Sequence, residues 1–502
     1  MTKSAGIPYT KKPIQWGRWA AMAAGVVFFT LIYFSPAWPD AVDPMGKHFA
    51  LSREGKGALA VFMLAGTWWV FEVVPIGITS LVIGVLQAMF MIRTANAAFK
   101  DFMTPSVMFI FGSIVIGMVF TKTGLTKRLA YKMLSIVGER TSMIMLGCFV
   151  VTAVLTHVMA HTAVAATIYP LLVAIYSMYD DDNKPTKFGL SLFMGMAYVA
   201  GAGSIITLLG AARGAVAIGF FSDIVKREIG FLELSYHMAP VGWLMIFLLW
   251  GFFMVFSKPE QKTIPGLKER ANRLYENIGP ITRNELLAAA IVVVIIVLLS
   301  ASSAIPADAG GFAAIFKRVD KTAVLLCSTV LFYILKILNI DDLEAIPWNI
   351  ILLFGGAMSI GFCLWETGAA QWLAINWLVL FQKANWFVFV LGISFFVMVM
   401  TNFIMNVAAI AISLPVALVI APYLGVAPEV IFYSSLVAAG MPFMLLVGAA
   451  PNAIAYDSKQ FTSGQFFLYG LPASLMLMVV IGVAALFIWP AMGMPVSLSP
   501  AH

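Results

Sequence analysis

Charge is scarce in this sequence. Only 11% of its 502 residues are Asp, Glu, Lys or Arg, against 61% hydrophobic residues and a mean hydropathy of +0.94. Soluble domains carry about 25% charged residues, so a water-covered surface is excluded and the chain reads as a polytopic membrane protein. Cysteine is nearly absent as well. Cys148, Cys327 and Cys363 all fall in apolar runs, which excludes a disulfide framework and predicts buried structural thiols. There are five histidines, and only His157 and His161 sit together in apolar sequence. Two imidazoles fall short of the three or four convergent ligands of a metalloenzyme. The net charge of +7 does not signal nucleic acid, because Lys and Arg lie between apolar runs rather than on one face. Topology explains them, with basic loops held on the cytoplasmic side. No A-x-A-like cleavage site follows the first apolar run, so that run is expected to be a retained helix.

What the sequence has is long apolar runs, some of them broken. The runs at 141–178 and 385–424 are about twice the length of one crossing, and each has a polar centre. The first centre reads THVMAHTAVAATIYP (156–170), the second TNFIMNVAAIAISLP (401–415). Each predicts a re-entrant hairpin whose tip lies at mid-membrane, where broken backbone survives only if it is buried or lines a cavity. Two further runs, 188–222 and 427–456, carry GAGSIITLLGAARGAV and GMPFMLLVGAAPNAIA, which predict helices unwound halfway. Folding the hairpins in this way leaves about eleven crossings, with the N-terminus cytoplasmic. KTGLTKR, DDDNKPTK and the polar stretch 258–285 fall on the inner side.

That stretch, 258–285, reads as a cytoplasmic linker between a first repeat (1–257, with the N-terminal helix) and a second (286–502). The halves match in three blocks in the same order. Residues 105–130 align with 349–374, so that Gly112, Gly117, Thr123 and Gly124 meet Gly356, Gly361, Thr367 and Gly368. Thr156, His161, Ala163 and Pro170 then meet Thr401, Asn406, Ala408 and Pro415, and GAARGAVA (210–217) meets GAAPNAIA (448–455). An odd number of crossings in each repeat's span makes the repeats inverted, which points to a secondary transporter whose site lies where the breaks converge.

At these residues the chain resembles the divalent anion:sodium symporter family, the carriers of dicarboxylates, citrate and sulfate. The resemblance covers nearly the whole chain, including LAVFMLAGTWWVFEVVPIGITSL, the KTGLTKRLA and ETGAAQWLA segments, and GAAPNAIA. It implies an elevator in which hairpin domains slide past a scaffold. The scaffold's apolar runs, including the Trp68-Trp69 pair, would bury a homodimer interface. It also implies two sodium clamps, each made of a Ser-Asn-Thr hairpin tip and a Gly-Thr-Pro-Pro-Asn-like loop, with the tips holding substrate carboxylates. Here the tips read Ala160-His161-Thr162 and Met405-Asn406-Val407. The loops read Gly210-Ala211-Ala212-Arg213-Gly214 and Gly448-Ala449-Ala450-Pro451-Asn452.

The departures carry the chemistry. The second clamp still offers oxygens from Thr401, Asn406, Gly448 and Asn452, enough for a single sodium ion. The first has an imidazole for its amide and gains Arg213, a permanent cation. A second cation there would be repelled, so no sodium is expected at the first site. An arginine at a helix centre is costly in lipid and normally faces a pathway or an acid. Two roles are open for Arg213: an ion pair with Glu72, Glu366 or Asp457, or a fork for a carboxylate, sulfonate or phosphonate. Glu72, beside Pro75, is otherwise expected to stabilise a helix break. His157 and His161 have metal-ligand spacing but no third ligand. His161 is assigned to substrate contact or a proton-linked role, and His157 to packing or polar lining. Met405 and Val407 make the second tip apolar and favour a monoanion or a long asymmetric acid.

The expectation is therefore an all-α polytopic inner-membrane protein and no enzyme. It should carry small organic anions by exchange or proton linkage, through Ala160, His161, Thr162, Arg213, Met405, Asn406, Val407 and Asn452. It should need no cofactor beyond a possible single sodium ion. Sodium-coupled dicarboxylate symport through the second site is the alternative. A metal-dependent membrane enzyme or an anion channel is the rival from another class.

Overall fold

A computed structural model describes residues 16–42, 47–71, 73–180, 184–305, 320–381, 385–403 and 405–498. Among them helices dominate, and the only paired strands are β1 (Ala41–Val42) and β2 (His48–Phe49). Among the described residues nine helices are long and apolar enough to cross a membrane, and four shorter apolar helices accompany them. The protein is a polytopic membrane protein.

Helix α1 (Trp16–Phe34) packs on α2 (Arg53–Val70), and ten elements then occur twice in the same order. The first set is α2, α3 (Ile76–Met89), α4 (Ala95–Lys100), α5 (Pro105–Thr123), α6 (Leu125–Val137), α7 (Thr141–Thr156), α8 (His161–Tyr179), α9 (Lys187–Gly203), α10 (Arg213–Val225) and α11 (Phe231–Phe256). After α12 (Leu267–Asn277) comes the second set: α13 (Arg283–Ala304), α14 (Lys321–Ile334), α15 (Ile340–Glu344), α16 (Trp348–Glu366), α17 (Ala369–Phe381), α18 (Trp386–Phe403), α19 (Asn406–Ile420), α20 (Pro428–Ala439), α21 (Ala450–Tyr456) and α22 (Ser463–Val483). Contacts between helices are exchanged in the same way. Helix α3 packs on α16 as α14 packs on α5, and α10 packs on α19 as α21 packs on α8.

The glycines shared by the two halves have physical reasons. Gly124 (φ 85°) and Gly368 (φ 74°) end α5 and α16 in the left-handed conformation that lets the chain turn into α6 and α17. Gly112 and Gly356 permit close crossings. A Cβ on Gly112 would lie 2.8 Å from Leu325 Cβ, and one on Gly356 would lie 2.3 Å from Ser80 Cβ.

The polar linker is more structured than its composition suggests. Its helix α12 packs on α6, and α13 begins at Arg283, ahead of the expected repeat boundary at 286. Arg128 of the KTGLTKR segment is buried rather than on an open loop. It forks to Glu285 (Nε–Oε2 3.1 Å) and donates to the carbonyls of Gly279 and Pro280. Cys148 and Cys363 are buried, but Cys327 is exposed on α14, beside the exposed Val330, Leu331 and Ile334. It therefore lies on an outward apolar face. Trp68 and Trp69 are committed within the chain: the Trp68 indole lies on Gly25 of α1, and Trp69 is core and donates to Ile76 O.

Candidate functional site

The elements that carry the site are two hairpins and two broken helices. Helices α7 and α8 turn at 157–160, and α18 ends at Phe403 with α19 starting at Asn406. Helices α9 and α10 are separated by irregular residues 204–212, and α20 and α21 by 440–449. Pro170 and Pro415 occupy the same place inside α8 and α19. Backbone freed by the breaks is satisfied by specific partners, as burial requires. The N–H of His161 donates to Gly210 O, and Thr207 Oγ1 donates to His157 O. Asn402 Oδ1 accepts from the N–H groups of Met444 and Leu445, Asn452 Nδ2 donates to Pro442 O, and the Tyr198 hydroxyl donates to Phe443 O. Each tip is pressed against its loop. A Cβ on Gly210 would lie 2.3 Å from Thr156 O, and one on Gly448 would lie 2.9 Å from Thr401 O.

Helices α8, α10 and α19 start at one cavity of about 560 Å³. Its lining includes Ala160, His161, Thr162, Arg213, Met405, Asn406, Val407 and Gly448. The helix-capping residues there are Ala160, Ala212 and Met405, and none makes a side-chain cap. Elsewhere Thr104, Thr186 and Thr462 cap their helices with hydroxyls. Apart from the His161 and Gly214 N–H groups, which donate to Gly210 O and Ala211 O, the cavity-facing helices thus turn uncapped first turns and positive dipole ends toward an anion.

Arg213 is 2% exposed. Its Nη2 donates to Ser204 Oγ at 2.8 Å, across its own helix break, and lies against Gly440 of the other break, where a Cβ would be 2.8 Å away. Its Nη1 has no partner among the described residues, and no carboxylate there pairs with it. Of the three expected ion-pair partners, Glu366 is held by Arg93 at 2.8 Å, Asp457 is exposed beyond α21, and Glu72 lies outside the described residues. His161 also presents a buried Nδ1 with no partner among the described residues. His157 stacks on Trp243 with ring centroids 5.7 Å apart, a packing role.

Two of the named residues do not line the cavity. Thr401 is fully buried behind it, its Oγ1 3.0 Å from both Asn406 Oδ1 and Ala439 O. The Thr401 hydroxyl thus donates toward two acceptor oxygens, and the three oxygens gathered there are of the hard type that sodium prefers. Asn452, 2% exposed, turns its amide nitrogen toward Pro442 and Leu445 carbonyls, so it braces the break. Sequence reading missed Ser204, which anchors Arg213, and Asn402, which holds the second break. The Asn beside Thr401 was the available signal for the latter. It also missed the Lys122–Asp342 ion pair, which lines the cavity between the end of α5 and α15.

A second cleft of about 530 Å³ lies at the other end of the same helices, lined by Thr104, Ser106, Ser222, Asp223, Trp365 and Glu366. On α5 the cleft takes residues 104–106 and the cavity residues from Ile110 to Lys122, so the two together extend over about 27 Å of helix at 1.5 Å per residue, close to a bilayer core. Helix α10 fills the space between them. Its Gly219 sits on Met358 and Ser106, and Phe220 packs on Gly361 and edge-on against Phe362.

A family profile described as the sodium:sulfate symporter transmembrane region matches residues 16–495. The sodium-dependent dicarboxylate transporter SdcS of Staphylococcus saprophyticus is 25% identical over 456 residues, 88% of this chain and 87% of the relative. SdcS of Staphylococcus aureus is 24% identical over 498 residues, 96% and 93% of the two chains. Among solved structures, Neisseria gonorrhoeae MtrF, described with a class of antimetabolite efflux pumps, has a TM-score of 0.56 at 12% identity, covering 92% and 94%. The YdaH transporter of Alcanivorax borkumensis has a TM-score of 0.52 at 14% identity, covering 96% and 98%. The two structures are alike in fold.

Proposed function

The chain belongs to the sodium:sulfate symporter family, a family of transporters rather than enzymes, and from that premise we propose that it carries small organic anions by exchange. Di- or monocarboxylates and sulfonates are the substrate classes. The observation that carries this reading is the buried Arg213 guanidinium, whose Nη1 has no partner among the described residues, at a cavity onto which three uncapped helix N-termini converge. The anion's oxygens would meet that nitrogen, the free amides of Thr162 and Val407, and the Thr162 hydroxyl, with His161 as a further polar contact.

Arg213 supplies the positive charge that sodium supplies elsewhere in the family. Two unit charges 4 Å apart repel by about 4 kcal/mol at an effective dielectric of 20, which disfavours a sodium ion in the first clamp. An empty site then carries an uncompensated buried charge, and crossing unloaded is penalised. Obligatory exchange follows from that asymmetry. The repeats 1–257 and 286–502 would form, around the linker 258–285, a scaffold with α5 and α16 and a moving body with the hairpins and broken helices. The carrier would work as a homodimer in a bacterial inner membrane, N-terminus cytoplasmic.

One observation favours a second reading. The convergence of Thr401 Oγ1, Asn406 Oδ1 and Ala439 O would admit one sodium ion, giving sodium-linked uptake through that site alone. The test is uptake of labelled C4-dicarboxylates and small sulfonates into proteoliposomes, varying external sodium, pH and internal anion separately, with Arg213→Asn alongside. Uptake that needs an internal anion, ignores sodium and collapses in the variant supports exchange. A proton gradient replacing the internal anion would assign coupling to His161. Steep sodium dependence without internal anion would overturn the exchange reading.

A further inference from the structure

Resting on the anion-carrier reading above, we infer that the preferred substrate is an amphipathic monoanion: one carboxylate or sulfonate on an apolar body, rather than a compact dianion. The first ground is charge. Among the described residues, the charged side chains lining the cavity are Arg213, Lys122 and Asp342. Lys122 and Asp342 neutralise each other at the mouth, so one fixed positive charge remains, at the deep end. It matches one negative charge. A second carboxylate would find no cation of its own unless sodium entered behind the second tip.

The second ground is the wall opposite that charge. One face of α5 and the start of α16 present Ile110, Ile114, Met118, Ile350 and Phe354, facing Met405 and Val407 across the cavity. The apolar α5 face runs from Ile110 to Met118, about 12 Å at 1.5 Å per residue, longer than a four-carbon diacid requires. Apolar lining of this length rewards an apolar tail by removing it from water. Along α5 and the start of α16, a small hydrophilic dianion would meet only the hydroxyls of Ser113 and Thr121 among the described lining residues before the Lys122–Asp342 pair. The head would sit between Arg213 and Thr162, and the tail would run along α5 toward Met118.

The inference is tested by equilibrium binding to the purified protein without sodium. The probes are straight-chain monocarboxylates and alkanesulfonates of two to eight carbons, succinate and sulfate. Affinity is expected to rise about fourfold per added methylene, the equivalent of about 0.8 kcal/mol per buried CH₂, with succinate and sulfate weaker than a monoanion of equal length. Ile114→Ser and, on a different helix, Ile350→Ser should each flatten that slope while leaving short acids bound. A flat slope in the wild type, or succinate binding more tightly than the monoanions, would overturn the inference and leave the anion-carrier reading standing. Binding of every probe unchanged by Arg213→Asn would instead remove the reading on which it rests.

Discussion

Replacing Arg213 by lysine keeps a positive charge at the first helix break but loses the planar fork, one arm of which holds Ser204 while the other faces the cavity. An ammonium at the end of a flexible stem cannot hold both positions at once. We therefore expect Arg213→Lys to retain sodium-independent counterflow with KM raised about tenfold, the loss of about 1.4 kcal/mol, whereas Arg213→Asn abolishes it. Counterflow rates across a substrate series measure this. An equal loss in both variants would mean that the fork matters and the charge alone does not suffice. The neighbouring Ser204 is equally specific to its place: its hydroxyl is the one hydrogen-bond acceptor the structure gives the guanidinium. The buried Arg128 shows what a committed arginine looks like. Both of its forks are filled by Glu285 and two carbonyls, and Arg213 has no such closure.

Among elements, the helix breaks depend on glycines that sit against backbone. At Gly210 a methyl group would lie 2.3 Å from Thr156 O and 2.7 Å from Ser204 O. Backbone oxygens cannot swing away as a flexible side chain would. Gly210→Ala should thus cost at least the usual 1–3 kcal/mol of overpacking, about enough to lower the unfolding temperature by several degrees. Gly66→Ala, on the interior of α2 with nothing within 4 Å, should leave it unchanged or slightly raised. Thermal unfolding of the two purified variants decides it.

A second elemental contact is titratable. Glu260, just after α11, caps the start of α9 by accepting from the N–H groups of Lys187 and Phe188 and from the Tyr179 hydroxyl. Partial burial acts to raise its pKa, but these hydrogen bonds outweigh it and hold the carboxyl below its ordinary range. A depressed folded pKa adds stability that is full above the unfolded value, about 4.3. That stability is lost as pH falls through the folded value. The unfolding temperature of Glu260→Gln should therefore lie below wild type at pH 7 and converge on it in acid. A gap that persists unchanged to pH 3 would assign the difference to packing instead.

For the whole molecule, the two openings lie at opposite ends of α5 and α16 with α10 between them. Cysteine accessibility can test this directly. In a background with Cys148, Cys327 and Cys363 replaced, Thr121→Cys at the cavity and Ser222→Cys at the second cleft should react with a membrane-impermeant maleimide from opposite faces. Labelling of both from one face would mean that the two openings are one vestibule. A substrate that moves the body should change the two rates in opposite directions, because opening one side closes the other.

Much was determined by local sequence. Apolar run length set the membrane class, and polar residues with glycine and proline inside those runs marked the hairpins and the broken helices. Hydropathy and helix breaking act over a few residues, so a reader of the chain meets them in order. The tip residues were legible because a polar or small residue at mid-membrane needs a cavity or a partner. Which partner is a different matter. Glu366 lies in reach by composition but is taken by Arg93, and Lys122 meets Asp342 from far along the chain. Asn402 and Asn452, nearly equivalent in sequence, brace the second break from its two sides with opposite ends of their amides. Trp68 and Trp69, apolar enough for an interface, fold inward onto α1 and α3. These choices depend on which helices cross, and an apolar sequence offers many crossings of similar energy. Only the packed structure selects one, and in selecting it leaves Arg213 as the buried charge without a countercharge among the described residues.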